Sequence, residues 1–325
     1  TAKNATTRYG ETPELALAEE LAESIRVALC EGKETAFHFL FRRGDTFALF
    51  HINGLSGLSH RYPAVVGSYG TGALPRFTKK PAISRKMRFL ALQNIEIAPP
   101  DGEEFGIIDA EFIIFDGILA KCEVQASRVG NAIRGITWRR IINLDAFKSA
   151  PGTTSTETDG KVTWALHGNR TSGFYATGAD GLLIEKVLCD HAGWADGYAY
   201  DCRADFPHPP SMYSQGMYLQ YSINDLTVRD VIVTRASSIA IQQRSGGITE
   251  RVLMVGNNGG LLTAGEIGAE DGNFSYVSDL WVTQGGMKAT EKEASLYLAG
   301  GVDAAAPLTT LDAVVVAHRG AMPPP

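Results

Sequence analysis

Ile95, Ile118, Ile141, Trp164 and Val187 stand 23 positions apart in succession. Around most of them runs one pattern: apolar, two mostly polar residues, apolar, any residue, apolar. It reads Leu92-Gln93-Asn94-Ile95-Glu96-Ile97 and again Ile184-Glu185-Lys186-Val187-Leu188-Cys189. It returns at Val228-Arg229-Asp230-Val231-Ile232-Val233, at Thr249 to Met254 and at Val277 to Val282, the last two at central spacings of 21 and 28 residues. The Trp164 copy is the weakest, with Lys161 in the first apolar slot.

A unit of about 20–25 residues that holds short strands and no repeated helix fits a strand solenoid, whereas propeller blades run to about 40 residues. Leucine-rich repeats share the period, but their Leu-rich motif and Asn position are missing. Stacked coils place equivalent residues over one another, so Ile95, Ile118, Ile141, Val187, Val231 and Val252 are expected in one core column. Such an array overrides the prior of about two domains that 325 residues suggest. Ahead of it, Thr12 to Leu29 reads as one amphipathic helix. Thr12 can cap it, Pro13 fits its first position, and Leu15, Ala18, Leu21, Ala22, Ile25 and Leu29 form one stripe. An apolar helix there would cover the open end of the core. The expectation is an all-β right-handed parallel β-helix with an N-terminal α-helical cap. Its segments are 1–36 for the capping region, 37–303 for the solenoid and 304–325 for a linker and tail.

Thirty basic and 36 acidic residues give a net charge of −6, which argues against nucleic acid or an anionic membrane as partner. No apolar run approaches the ~20 residues that span a bilayer, so no membrane insertion is expected. The chain opens on Thr1, as a processed or trimmed chain does, without a basic-then-apolar leader. Cys30, Cys122, Cys189 and Cys202 form no CxxC pair, so a zinc knuckle or redox dithiol is disfavoured. Buried thiols are the leading reading, and a Cys189–Cys202 bridge stays open. No cofactor is expected. A structural or catalytic calcium stays open, with Asp101, Glu103 and Glu104 as the turn that could attract it, although a solvated turn is the expected state.

Several segments carry a likeness to known proteins. Phe41-Arg42-Arg43-Gly44-Asp45-Thr46-Phe47, followed by Val66-Gly67-Ser68-Tyr69-Gly70-Thr71-Gly72, resembles the "kRGDtw" and "iGaYGtG" opening of bacterial and phage right-handed parallel β-helix proteins. His191-Ala192-Gly193-Trp194 resembles their "HNGW" element. Met217-Tyr218-Leu219-Gln220 and Gln242-Gln243-Arg244-Ser245-Gly246-Gly247 resemble "HNiYlQ" and "SHGlQlRpGG". The likeness covers roughly 37–262 and is specific for architecture. That architecture, the pectate-lyase-like superfamily, hosts pectin and alginate lyases, glycosidases, epimerases and phage tailspikes. It implies a secreted or virion-associated protein with a polysaccharide partner, and a homo-oligomer, trimeric if spike-like. Gln215 and Ile239 stand where the motifs carry His.

Val187 and Val231 are 44 residues apart, so the register breaks between them. One extra coil is expected to carry Asp190 to Tyr221, with a loop from about 195 to 215. That loop holds Asp196, Asp201, Arg203, Asp205, His208 and Tyr213, flanked by Trp194 and Tyr218. Glycoside hydrolysis needs two carboxylates flanking the scissile bond. Asp190, Asp196, Asp201 and Asp205 are the candidates, with Glu266 approaching from a later coil. β-Elimination needs a base beside a carboxylate that a cation neutralises, roles open to His191, His208, Tyr213 and Arg244. Trp194, Arg203, Tyr213, Tyr218, Gln220 and Gln242 are the candidates for gripping sugar by stacking and hydrogen bonds, with Arg235 adding to a basic strip. The reading is a polysaccharide-active lyase or hydrolase. Its alternative is a non-catalytic glycan-binding or structural spike, which Gln215 and Ile239 favour.

Overall fold

The computed structural model describes residues 33–48, 52–79, 84–100, 103–130, 133–147, 171–193, 214–257, 259–263, 274–283, 302–304 and 309–317. They form an all-β architecture of two sheets, one of 15 strands and one of eight. Long strands stack in the first sheet: Ile133–Arg139, Ala179–Asp190, Asn224–Thr234, Gly247–Val255, Ser275–Thr283 and Thr309–Ala317. Short strands stack in the second, among them Val124–Ser127, Phe174–Thr177, Met217–Leu219, Ile239–Gln243 and Gly259–Thr263. The strands pair in parallel throughout, for example Ile184 with Val228 and Tyr218 with Gln242. The chain thus alternates between sheets, and each coil lies on the one before.

The repeat positions meet as the pattern predicts. Val187 pairs with Val231, Val231 with Val252, and Val252 with Leu280. Ile95, Ile118, Ile141, Val187, Val231 and Val252 are at most 2% exposed and lie in one apolar cluster. Each such side chain stabilises the fold by roughly 1.5–3 kcal/mol through burial.

Three details of the expected coil count change. Ile142 pairs directly with Leu188, and Leu188 N–H donates to Ile141 O at 2.9 Å, so the Trp164 copy does not stand between them in the stack. Val187 likewise pairs directly with Val231, so no extra coil lies between them; Met217–Leu219 is the short strand of the same coil as Ala179–Asp190. Both long interruptions, after Phe147 and after Gly193, leave the same corner on neighbouring coils. Thirdly, Thr309–Ala317 pairs with Ser275–Thr283, so the stack runs on into the segment expected to be a tail. The expected capping helix, 12–29, lies outside the described residues.

Within the coils one bend recurs inside the motif. Asn94, Gly117, Arg140, Lys186, Asp230, Arg251, Asp279 and Ala313 all have positive φ, between 49° and 67°, and their neighbours' pairings put them in one column. This explains the two polar residues inside the motif. Ile184 points inward, Glu185 outward, Lys186 takes the left-handed turn, and Val187 points inward again. The bend divides the strand into two arms that both present apolar residues to the core. A non-glycine residue there carries about 1–2 kcal/mol of strain, which the ladders on either side hold in place.

Outside the first arm, one column reads Asp116, Arg139, Glu185, Arg229, Glu250, alternating in sign from coil to coil. Arg139 reaches Asp116 at 2.7 Å and Arg229 reaches Glu185 at 2.8 Å. A second ladder runs Arg88–Glu111–Arg134 at 3.1 and 2.9 Å. The arginines are 38–48% exposed and the acids 8–18%, and pairs whose cation faces water are worth about 1 kcal/mol or less each. Their larger effect is to keep this face charged and in register.

Candidate functional site

The corner after the second arm gathers the polar groups that the ladders do not use. Leu144 pairs with Asp190, which sets Asp145 beside His191 on the next coil. Both turn the corner in left-handed geometry, with φ of 57° and 65°. Asp145 N–H donates to Asp190 O at 3.1 Å, and His191 N–H donates to Thr234 O at 3.0 Å, so the backbone fixes both. Asp145 Oδ1 lies 2.7 Å from His191 Nδ1, and the Phe147 ring meets the imidazole edge-on at 5.1 Å. A carboxylate on Nδ1 makes that nitrogen the N–H and leaves Nε2 as the basic lone pair, the arrangement of an oriented general base.

Asp190 has a different environment. Arg235 Nε donates to its Oδ1 at 2.7 Å, Arg235 Nη2 to its Oδ2, and the Thr234 hydroxyl to Oδ1. Burial pulls this carboxyl's pKa up, but the hydrogen bonds from Arg235 and Thr234 and the Arg235 charge outweigh it and hold the group below 3.8. Asp190 is therefore a fixed anion, and Arg235 is bound to it.

Beyond the corner the chain enters the short sheet through a tight passage. Asn143 Nδ2 donates to Cys122 O and Gly173 O, both at 2.9 Å, and Asn257 Nδ2 does the same for Val233 O. Cys189 is a free, buried thiol directed at Gly216 O, 3.5 Å away, so the Cys189–Cys202 bridge is not formed. Burial, and then the Asp190 charge, push its pKa far up, so it is inert packing. A Cβ on Gly173 would lie 2.4 Å from Cys189 Sγ, which is why glycine sits there.

The outer face of the short sheet carries aromatic and amide groups in register: Gln125, Tyr175, Tyr218 and Gln242. Tyr175 and Tyr218 contact edge to face at 5.7 Å, and the Arg244 guanidinium lies over the Tyr218 ring at 5.0 Å. Gln215 Nε2 lies 2.8 Å from the buried Gln242 carboxamide. With its oxygen turned toward Arg244, that carboxamide accepts from Nε at 2.9 Å and Nη2 at 3.2 Å. Gln220 Oε1 is buried and has no hydrogen-bond partner among the described residues. This is a platform with a stacking surface, a cation and amides, the groups that grip sugar hydroxyls and uronate carboxylates.

Of the candidates named from sequence, Asp190 and His191 stand at the corner, and Tyr218, Gln220, Gln242 and Arg244 on the short sheet. Trp194, Asp196, Asp201, Arg203, Asp205, His208, Tyr213 and Glu266 lie outside the described residues. Asp145, Phe147 and Tyr175 were not anticipated. Asp145 had a signal, because it precedes His191 by twice the 23-residue period; Tyr175 precedes Tyr218 by a distance that includes an interruption, which hid it. No group of three or more His, Cys, Asp or Glu side chains suited to a metal ion occurs among the described residues, and no helix among them is long and apolar enough to cross a membrane. The fold and site define an all-β chain of stacked parallel strands with a polar corner. Comparison with protein-family models, curated proteins and solved structures returns no match for it.

Proposed function

We propose that this chain is a right-handed parallel β-helix that binds an extended polysaccharide and cleaves it, with His191 as the general base. The observation that carries this is the 2.7 Å Asp145–His191 pair at the corner from which the two long interruptions leave. The right hand follows from the near-universal handedness of parallel crossovers. The N-terminal end of the core offers Phe39, Phe41 and Phe47 only partly buried, with Phe37 39% exposed, a surface suited to cover by the 12–29 helix. Secretion or a place on a virion follows from the polysaccharide partner.

Two reactions suit the pair. In β-elimination His191 Nε2 takes the proton on the carbon next to a uronate carboxylate, the C–O bond to the leaving sugar breaks with its oxygen taking a proton from water, and an unsaturated sugar remains. A cation must neutralise that carboxylate, the role the sequence offered to Arg244. In hydrolysis His191 takes a proton from water as it attacks, and an acid must protonate the leaving oxygen. Asp190 does not suit the acid's role, because Arg235 holds it ionised. The binding-only reading, a spike or appendage component, is favoured by Gln215. It stands in place of a histidine and is tied into the Gln242 amide pair.

Incubation with a panel of neutral and acidic polysaccharides tests both. Ultraviolet-absorbing unsaturated ends indicate elimination, and new reducing ends without them indicate hydrolysis. His191→Ala is expected to lower turnover about 10²–10⁴-fold with binding retained. Retention of a glycan without either product leaves the binding reading. Neither retention nor product on any glycan overturns both.

A further inference from the structure

We propose that Gln215 is a positioning residue, which sets the Arg244 guanidinium on the short-sheet platform by fixing the Gln242 amide between them. The inference rests on the reading of that platform as the ligand-gripping surface, and adds the residue that stands behind it. Gln215 and Gln242 are 4% and 5% exposed, so each amide must find its partners within the protein. A guanidinium only donates hydrogen bonds, while an amide donates at one end and accepts at the other. The Gln242 end that lies 2.9 Å from Arg244 Nε and 3.2 Å from Nη2 is therefore its oxygen. Its NH2 end then faces Gln215, 2.8 Å away, and must meet an acceptor there, so the Gln215 oxygen points back at it. That leaves the Gln215 NH2 end beside Ser172 Oγ, at 3.4 Å.

The charge at one end thus orders each dipole behind it. The relay runs Arg244, Gln242, Gln215, Ser172, and every hand-over pairs a donor with an acceptor only in this sense. Ser172 is itself anchored: its backbone N–H donates to Glu123 Oε2 at 2.7 Å, and its hydroxyl accepts the Gln215 backbone N–H at 3.3 Å. On the outer side the guanidinium lies over the Tyr218 ring at 5.0 Å, and that ring meets Tyr175. Gln215 is too buried to meet a ligand, so its effect must pass through Gln242 and Arg244. The relay needs an acceptor at position 215 for the Gln242 N–H. A carboxamide supplies one at every pH. A neutral imidazole supplies one through its lone pair, and an imidazolium, which only donates, does not. Opposite an imidazolium Gln242 would turn its oxygen inward and set its NH2 against Arg244, donor against donor. The ionisable groups that the relay meets are Glu123, Tyr175, Tyr218 and Arg244, and none of them is an imidazole.

Nuclear magnetic resonance of the arginine side chains tests this without any ligand. The Arg244 Nε–H signal, identified by its loss in Arg244→Lys, is expected to move in Gln215→Leu to the position of a solvent-exposed arginine, with circular dichroism unchanged. In Gln215→His it should stand near the parent's position at pH 8 and move to that of Gln215→Leu as pH falls through the imidazole range, about 5–7. The parent's signal should stay in place over the same range. The titration decides the matter within one folded protein should Gln215→Leu fail to fold. A signal that responds in neither variant overturns the proposal, as does a parent signal that moves like that of Gln215→His. On a glycan that the parent retains, Gln215→Leu is expected to weaken retention about tenfold, as loss of a hydrogen bond to a charged group does, and Arg244→Ala at least as much. Retention lost in Arg244→Ala but kept in Gln215→Leu overturns the positioning role. Retention kept in Arg244→Ala overturns the platform reading instead, and the resonance still decides whether Gln215 positions Arg244.

Discussion

On the first arm of five successive coils the outward column reads Asp116, Arg139, Glu185, Arg229, Glu250. On the second arm of the same coils it reads Leu119, Ile142, Leu188, Ile232, Leu253. The inward columns of the two arms are alike, Phe115–Trp138–Ile184–Val228 on one and Ile118–Ile141–Val187–Val231 on the other, all buried. The architecture therefore requires only the inward pattern. What stands outside is assigned arm by arm, to charge pairing on the first and to apolar side chains on the second, while the corner that follows holds the Asp145–His191 pair.

The largest effect should come from confusing inside with outside. Ile113 is fully buried and its neighbour Ile114, on the same first-arm strand, is 38% exposed. Ile113→Asp is expected to destabilise by more than about 4 kcal/mol, because a carboxylate is buried without a partner. Ile114→Asp should stay within about 1 kcal/mol. Urea unfolding midpoints measure both, and equal losses would break the distinction between columns.

Next is the passage from the second arm to the short sheet. Gly173→Ala is expected to lose about 1–3 kcal/mol through overpacking against Cys189 Sγ. Cys189→Ala should recover part of that loss in the double variant, where each change alone destabilises. Additive losses in a double-mutant cycle would show that the close contact is not the cause.

A smaller effect separates the arms by pH. Burial raises the Asp116 pKa, but hydrogen bonds from Arg140 and Arg139, and their charges, outweigh it and hold the carboxyl below 3.8. A carboxyl depressed in the folded state contributes stability above its unfolded value, and loses it as pH falls through the folded one. Stability should thus be level near neutrality and fall below about pH 4, more steeply for the parent than for Asp116→Asn. Matching slopes in denaturant titrations at several pH values would remove Asp116 from that account. The second-arm column from Leu119 to Leu253 has no titrating group and should add nothing to the slope. Smallest is the bend between the arms: Lys186→Gly relieves left-handed strain and should change stability by no more than about 1 kcal/mol, in the stabilising direction. A clear loss on thermal unfolding would mean that the Lys186 side chain matters more than its backbone.

The core column was legible because burial imposes the same residue class at the same place in every coil. Ile95, Ile118, Ile141, Val187, Val231 and Val252 could be aligned by counting. Trp164 misled the count because the interruption after Phe147 nearly equals one period, so spacing alone mimicked a further copy. The position scored as free within the motif turned out to be the outward apolar column of the second arm. It tolerates Glu96 at one end, where the demand for apolarity has not begun, and this concealed it. At the site, His191 and Arg244 carried recognisable neighbours in sequence. Asp145 did not, since its role arises from stacking on His191 across one coil and a long interruption.

The corner after the second arm also bears on how such a chain can change. The coil of Ile142 is locked to its neighbour both before and after that corner: Ile142–Leu144 and Phe174–Thr177 are each paired to the next coil independently of what joins them. The join is therefore a socket. Doubling the length spliced into it costs only about 0.6 kcal/mol in closure entropy, so segments can be exchanged there like cassettes while the stack keeps its register. New loops can be drafted at this one address without renegotiating the fold.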